Sequence, residues 1–365
     1  MVHSAYIHIP FCKSKCNYCS FVSFVGCDEQ VRQKYTDTLI QEIKHFYKQE
    51  PLKTLYFGGG TPSIMKSDDL QRVVEGFNFD PNAEITIEVN PETVDLTYLQ
   101  QLRQIGFNRI SIGIQSFDNK ILKYIGRIHS ANRAIKTVKE ARAAGFENIS
   151  TDFIYGLPDQ TQKSFLNDLD TATQLGVEHI SLYGLKIEEG CNFYKNKPVN
   201  LADDDMQADM YLAATDLLES KGYLHYEISN FAKKGCESKH NLNYWSCGKY
   251  YGFGVAAHGY TDGTRYSNFE NLQKYIQNYK EKQTVRELSL KEKLEEHIYL
   301  GFRKGDGIDV LKINMEFGID FEEIYKNTLK KYTETKHILK TGKGYKLSNE
   351  GYLLSNIILS DFLQC

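Results

Sequence analysis

Six short strand-like runs separated by helical patterns constrain this chain more than any other feature. The strands read as 4–9, 53–57, 84–89, 108–113, 148–154 and 179–185, with helical patterns at 32–49, 67–76, 95–105, 131–144 and 161–175. Strands joined through helices run parallel, because a parallel partner is reached only by a long crossover. Eight such units close a complete barrel. Six predict an open, partial TIM-like (β/α)6 barrel with its chemistry at the carboxyl ends of the strands. The chain has 365 residues, more than this barrel needs. We assign 1–200 to the barrel, 201–285 to an extension of it and 286–365 to a smaller α+β domain at the carboxyl terminus. The extension reads as a helix at 203–221, a strand-like Tyr223–Ile228, a Gly- and aromatic-rich stretch over 229–268 and a helix at 271–283. After a helix at 290–303, the tail reads as two short helices, a glycine-bearing hairpin from Ile338 to Leu347 and a last helix. That winged-helix-like order does not by itself imply DNA binding.

Directly after the first strand stand Cys12, Cys16 and Cys19, in Phe-Cys-Lys-Ser-Lys-Cys-Asn-Tyr-Cys. Three thiolates on one loop can hold three corners of a 4Fe-4S cluster and leave the fourth iron open to a small molecule. A structural zinc site would close its fourth position, and three ordinary reduced thiols would need no such spacing. The C-x3-C-x2-C spacing is the radical S-adenosylmethionine (SAM) signature. The chain has eight Cys, no apolar run long enough to span a bilayer and no charged-then-apolar leader. A cytoplasmic protein that uses its thiols for metal or redox chemistry is expected. The net charge of −3 gives no footprint for nucleic acid, and the lysines gathered near the carboxyl terminus read as a solvated face. Cys27, Cys191 and Cys365 are left as ordinary thiols.

The strand ends carry polar residues in one register. Leu55-Tyr56-Phe57 runs into Gly58-Gly59-Gly60-Thr61-Pro62, where glycines let main-chain groups face a ligand closely. Glu88 closes an apolar strand, Gln115 holds the matching place in the next, and Asp152 does so in the one after. Carboxylates and an amide can fix ribose hydroxyls, and Arg127 can pair with a carboxylate. Each residue alone also fits a strand-end cap; as a set they converge on one mouth.

Together these motifs resemble the oxygen-independent coproporphyrinogen III oxidase group of radical SAM proteins over nearly the whole chain. The resemblance rests on His8-Ile9-Pro10-Phe11-Cys12, the Gly-Gly-Gly-Thr-Pro run, Glu88-Val89-Asn90-Pro91, Gly126-Arg127-Ile128-His129 and Asp152-Phe153-Ile154-Tyr155-Gly156-Leu157-Pro158. It implies that Tyr6, Cys12, Cys16, Tyr18, Cys19, Gly59, Gly60, Thr61, Glu88, Gln115, Arg127 and Asp152 bind the cluster and SAM. It further implies that the reduced cluster cleaves SAM to a 5′-deoxyadenosyl radical, the cofactor carrying the hard chemistry and the barrel shielding it. Two departures set the chain apart from the oxidase. The oxidase has a further Cys two residues after the third ligand, where Phe21 stands here, and a long extension ahead of the cluster loop.

His240-Asn241-Leu242-Asn243-Tyr244-Trp245 resembles instead the H-N-x-x-Y-W motif of the heme-chaperone branch of that group. On residue chemistry alone, a structural turn with Trp245 in the core is the simpler reading. The resemblance implies a heme site, with His240 as an imidazole ligand and Tyr244 and Trp245 as flat faces for the macrocycle. A zinc site from Cys236, His240 and Cys247 fits no common spacing. The expected function is therefore a heme chaperone on a radical SAM scaffold. It would pass heme to apoproteins such as respiratory cytochromes, at the inner face of the membrane, with a homodimer among the implied assemblies. The competing reading is oxidative decarboxylation of coproporphyrinogen III propionates, and a weaker third is radical chemistry on another tetrapyrrole.

Overall fold

A computed structural model of the protein describes residues 1–363, so Cys365 lies outside the described residues. Six parallel strands pair in chain order: β1 (Ser4–Ile9), β2 (Leu52–Gly59), β3 (Phe79–Val89), β4 (Arg109–Gln115), β5 (Asn148–Tyr155) and β6 (His179–Gly184). Between them run helices α1 (Glu29–Phe46), α2 (Ser67–Val74), α3 (Leu96–Ile105), α4 (Ala131–Ala143) and α5 (Gln162–Gln174). Side chains cap four of these helices, while α2 starts at Lys66 without one. Asp28 accepts from the Val31 amide, Asp95 from Tyr98 and Ser130 from Arg133, and Thr161 and Ser164 form a reciprocal box. The α3 helix ends at Gly106, whose φ of 112° suits glycine.

The sheet does not stop at six strands. After α6 (Asp204–Ser220) come β7 (Leu224–Glu227) and β8 (Asn230–Ala232); β8 adds antiparallel to the β6 edge, and β7 pairs antiparallel with β8 outside it. Beyond α7 (Lys239–Trp245), β9 (Tyr251–Phe253) adds parallel to β1, completing a nine-stranded sheet. The sequence pattern marked no strands at 230–232 or 251–253. Each is three residues long, and β9 finds its partner across almost the whole barrel sequence, so no local period announces it. One hydrophobic cluster runs from Val2 to Ile276 and includes Tyr251 and Phe253.

Strand polarity decides what the barrel can hold. Ala5, Ile7, Leu55, Phe57, Ile85, Ile87, Ile110, Ile112, Ile149 and Phe153 are buried outward against the helices. Full burial of one such side chain contributes about 1.5–3 kcal/mol. The alternate positions are polar: Tyr6 and His8, Thr54 and Tyr56, Glu84 and Glu88, Arg109 and Ser111, Ser150 and Asp152, His179 and Ser181. Their mutual contacts place them inside, with Ser4 bonded to Thr54, Tyr56 to Glu88, Ser111 to Asp152 and Ser150 to His179. Complete barrels fill this space with branched apolar side chains. Here the interior is a polar shaft.

A second core, with Ile298, Phe302, Ile313, Phe321, Ile338, Leu347 and Ile358, organises the carboxyl-terminal region. It begins with α8 (Leu290–Gly301) and includes a three-stranded sheet in which Gly344–Leu347 lies between Ile308–Asp309 and Ile338–Lys340. The expected hairpin is present. The two short helices are three segments, and the last helix is broken at Leu354. Among the described residues no helix is long and apolar enough to cross a membrane.

Candidate functional site

The carboxyl ends of the strands open into a cavity of about 490 Å3. Every residue expected to hold cluster or SAM lines it except Tyr6, which lies beneath. The cysteine loop is clasped onto the barrel at several points. The Phe24 amide donates to the Pro10 carbonyl, the Asn17 amide to Ile125, and Ser20 Oγ to Glu188 at 2.8 Å. His8 Nε2 meets the Val22 carbonyl at 3.0 Å, and burial lowers that imidazole to about 4, so it stays neutral.

The glycine run presses against this loop. A Cβ on Gly60 would stand 2.8 Å from the Phe11 carbonyl oxygen and 3.1 Å from the Cys12 sulfur, and Gly59 has a φ of 114°. Thr61 Oγ1 donates to Cys12 Sγ at 3.5 Å and accepts from Asn90 Nδ2 at 2.9 Å. Arg127 donates to Asn90 Oδ1 at 2.7 Å and to the Gly113 carbonyl at 2.6 Å, and reaches Cys16 Sγ at 3.7 Å. Gln115 holds a left-handed φ of 68°, where the sheet register shifts. Tyr18 is buried beside Cys16 and Arg127, and burial pushes its hydroxyl up.

Two carboxylates sit deepest. Glu88 accepts from Tyr56 at 2.8 Å and from the Gly59 amide at 3.3 Å. Burial, then the neighbouring Asp152, raises it to about 7. Asp152 accepts from Ser111 at 3.0 and 3.1 Å; burial raises it while the Ser181, Ser111 and Ser150 hydroxyls and Arg109 act the other way. Exposed Phe21 and half-exposed Tyr183 form part of the lip.

These residues fit the groups that the motifs imply. Arg127 puts a guanidinium in the cavity lining, where it can pair with a carboxylate, and its buried Nε has no partner. Among the described residues no three His, Cys, Asp or Glu side chains converge as ligands of one ion, Cys236, His240 and Cys247 included. Cys12, Cys16 and Cys19 share one wall without converging, which suits separate irons of a cube better than a single zinc.

The H-N-x-x-Y-W residues lie elsewhere. They form α7, which closes the opposite end of the shaft, its first amides of Lys239 and His240 donating to Glu84 of β3. His240 is 1 % exposed. Its Nδ1 meets Thr54 Oγ1 at 2.8 Å, its Nε2 meets the Tyr244 hydroxyl at 2.7 Å, and its ring stacks on Tyr56 at 5.1 Å. Thr54 donates its own proton to Ser4, so it accepts from His240; Nδ1 carries the hydrogen and Nε2 offers a lone pair to Tyr244. Burial, then Arg109, lowers the imidazole to about 3. Trp245 faces outward into a second cleft of about 230 Å3, shared with Cys247, His297 and Ile313. The structure therefore gathers the residues expected to hold cluster and SAM at the mouth and puts His240 and Tyr244 in the floor.

Sequence reading missed Tyr56, Arg109, Asn90 and His8, which hold the site from behind. The available signal was the strict alternation Thr54-Leu55-Tyr56-Phe57 and Arg109-Ile110-Ser111-Ile112. Parallel strands covered on both faces read as continuous apolar runs, so alternation marks a polar interior.

A model of the Radical SAM superfamily matches residues 6–172, and one of the HemN C-terminal domain matches residues 288–354. The chain is 36 % identical to the "Heme chaperone HemW" of Lactococcus lactis, over 97 % of this chain and 98 % of that protein. It is 36 % identical to that of Bacillus subtilis over 99 % of each chain, and 39 % identical to that of Escherichia coli over 70 % and 69 %. The structure superposes on coproporphyrinogen III oxidase (HemN) of Escherichia coli with a TM-score of 0.86, covering 99 % of this chain and 90 % of that one at 24 % identity, which establishes a shared fold. Kinship from end to end at this level, with cluster loop, glycine run and H-N-x-x-Y-W helix all in place, makes the chain a member of the HemW family of radical SAM proteins.

Proposed function

We propose that the protein is a heme chaperone that captures heme through His240 and yields it to acceptor apoproteins such as respiratory cytochromes. The observation that carries this reading is the state of the imidazole. Its low basicity keeps it neutral, and its Nε2 lone pair is covered only by Tyr244, one helical turn away in the same motif. Breaking that one bond and swinging the imidazole out of the floor presents an iron ligand, while Trp245 already lines the outer cleft. The relatives' names point the same way.

At the mouth, Cys12, Cys16 and Cys19 would hold a 4Fe-4S cluster, with Arg127, Glu88, Gln115 and Asp152 around SAM. The cluster, when bound, supplies an electron and an open iron. The protein's own residues orient the ligand and keep its surroundings polar but enclosed. This complete pocket supports a second reading, SAM-dependent decarboxylation of coproporphyrinogen III. Phe21 at the lip, in the place of the oxidase's further Cys, weighs against it. Delivery at the inner face of a membrane and a homodimer belong to the same proposal.

An anaerobic heme titration of the reconstituted protein, wild type against His240→Ala, tests the proposal through the Soret band. Coproporphyrinogen III consumption with SAM and reductant is assayed in parallel. Stoichiometric uptake weakened by the substitution, without substrate loss, is the expected result. Turnover to protoporphyrinogen IX with heme uptake indifferent to His240 overturns it.

A further inference from the structure

The floor and the mouth are joined by one column of side chains. His240 stacks on Tyr56 with ring centroids 5.1 Å apart and planes 27° from parallel. The other side of the Tyr56 ring is held by Tyr6, stacked at 6.2 Å and 25°. The Tyr56 hydroxyl reaches Glu88 at 2.8 Å, a shorter bond than the 3.3 Å contact from Gly59. A branch leaves through Tyr6, whose hydroxyl meets His8 Nδ1 at 3.1 Å, and His8 Nε2 then holds the Val22 carbonyl of the cysteine loop at 3.0 Å. Gly58 makes the convergence possible: a Cβ there would stand 3.0 Å from Glu88 Oε1 and 3.1 Å from both tyrosine rings.

We propose that Tyr56 and His240 are positioning residues for Glu88, so that heme capture at the floor and SAM binding at the mouth draw on the same column and oppose one another. The first half stands on geometry alone; the second rests on the chaperone reading. A buried carboxylate with two donors loses its orientation when the closer one goes. Tyr56 keeps its hydroxyl on Glu88 because its ring is clamped between Tyr6 and His240. For Nε2 to take iron, the bond to Tyr244 must break and the imidazole must leave its place, which removes one jaw of the clamp. Coupling of this kind is reciprocal: SAM lowers heme affinity by the factor by which heme lowers SAM affinity. A ligand at the mouth then favours release of cargo from the floor.

The test is equilibrium binding of SAM to the cluster-reconstituted protein without heme, read by calorimetry. Tyr56→Phe keeps both stacks and deletes the hydroxyl; SAM affinity should fall roughly 10-fold or more, as for loss of a bond to a charged group. His240→Ala should weaken it roughly 2- to 10-fold through lost stacking, and His240→Phe, which restores a flat face, should recover most of that. A pH series separates positioning from general damage. Glu88 faces Tyr56, Tyr6, Arg109, Asp152, Tyr183 and Tyr244, and the Tyr56 bond holds its basicity down, so Tyr56→Phe moves the binding midpoint upward from about 7. Wild-type affinity and midpoint in Tyr56→Phe overturn the positioning role. Should that variant not fold, Gly58→Ala wedges the same junction, and unchanged affinity there overturns it equally. Adding heme to the wild type then tests the coupling. Mutual weakening by the same factor supports it; independent binding overturns it. Absence of His240-dependent heme uptake instead sinks the chaperone reading and leaves the SAM measurements standing.

Discussion

The two ends of the barrel are built from the same strands and finished in opposite ways. At the mouth, Glu88, Gln115, Arg127 and Asp152 line an open cavity. At the floor, His240 has both ring nitrogens bonded, His179 is held between Ser150 and Tyr226, and Glu84 caps the closing helix. An open end is ready for a ligand. A closed end, with His240 and His179 bonded through both ring nitrogens, must be opened before it can take one. The mouth is therefore expected to respond to substitution through binding, and the floor through stability.

The largest effect expected is at the mouth. Replacing Cys12, Cys16 or Cys19 with Ala should reduce reconstituted iron and sulfide to background, while the unfolding free energy of the apoprotein changes by no more than about 0.5 kcal/mol. Iron and sulfide analysis with a urea titration reads both. A large stability loss in the apoprotein would show that the mouth is structural too. Next is the floor counterpart, Glu84→Ala. It removes the acceptor for the Lys239 and His240 amides and leaves buried Arg109 without its main opposite charge. The expected loss is about 3–5 kcal/mol by denaturant unfolding, with the cysteine loop still able to take up iron.

How legible each end is in the sequence follows from the same contrast. The candidate ligands of the mouth sit in contiguous motifs on single loops or strand ends, so Cys12 to Cys19, Gly58 to Pro62 and Glu88 to Pro91 announce themselves. The floor is assembled from single residues on separate strands, Thr54, Glu84, Arg109 and His179, plus a helix from much later in the chain. Their meaning depends on parity, which face each side chain takes, and a six-strand outline does not supply that. His240 shows the consequence. Its motif is visible, while its placement in the floor depends on Thr54, Tyr56 and Glu84, far away in sequence.

The two ends should also titrate in opposite senses. The imidazole of His240, near 6.5 unfolded, falls to about 3 when buried, so the folded protein binds fewer protons. Its contribution to stability is complete above pH 6.5 and is lost toward pH 3, at about 1.4 kcal/mol per unit. Glu88 rises from 4.5 to about 7, so its contribution is complete below pH 4.5 and is lost as pH climbs through 7. The two windows overlap between pH 4.5 and 6.5, where the opposing slopes cancel, so unfolding free energies measured from pH 4 to pH 8 should fall with rising pH through that overlap in His240→Phe and rise through it in Glu88→Gln. Identical slopes in wild type and both variants would remove the electrostatic half of the comparison.

The smallest pair of changes isolates the distinction most sharply, since each deletes a single hydroxyl. Thr54→Val is nearly isosteric and strips His240 Nδ1 of its acceptor at a site water does not reach, which costs about 1–3 kcal/mol. Ser111→Ala removes the contacts to Asp152 at 3.0 and 3.1 Å, yet that carboxylate keeps Ser150 at 3.5 Å and faces the cavity, where water can replace the lost donor. Its cost in stability should stay below about 1 kcal/mol. Asp152 is left more basic, because the Ser111 bond was one of the influences holding it down. The effect of Ser111→Ala belongs in SAM affinity, and that of Thr54→Val in the unfolding midpoint. Finding the reverse, a destabilised Ser111→Ala beside a stable Thr54→Val, would mean that the mouth carries the barrel and the floor is the adaptable end.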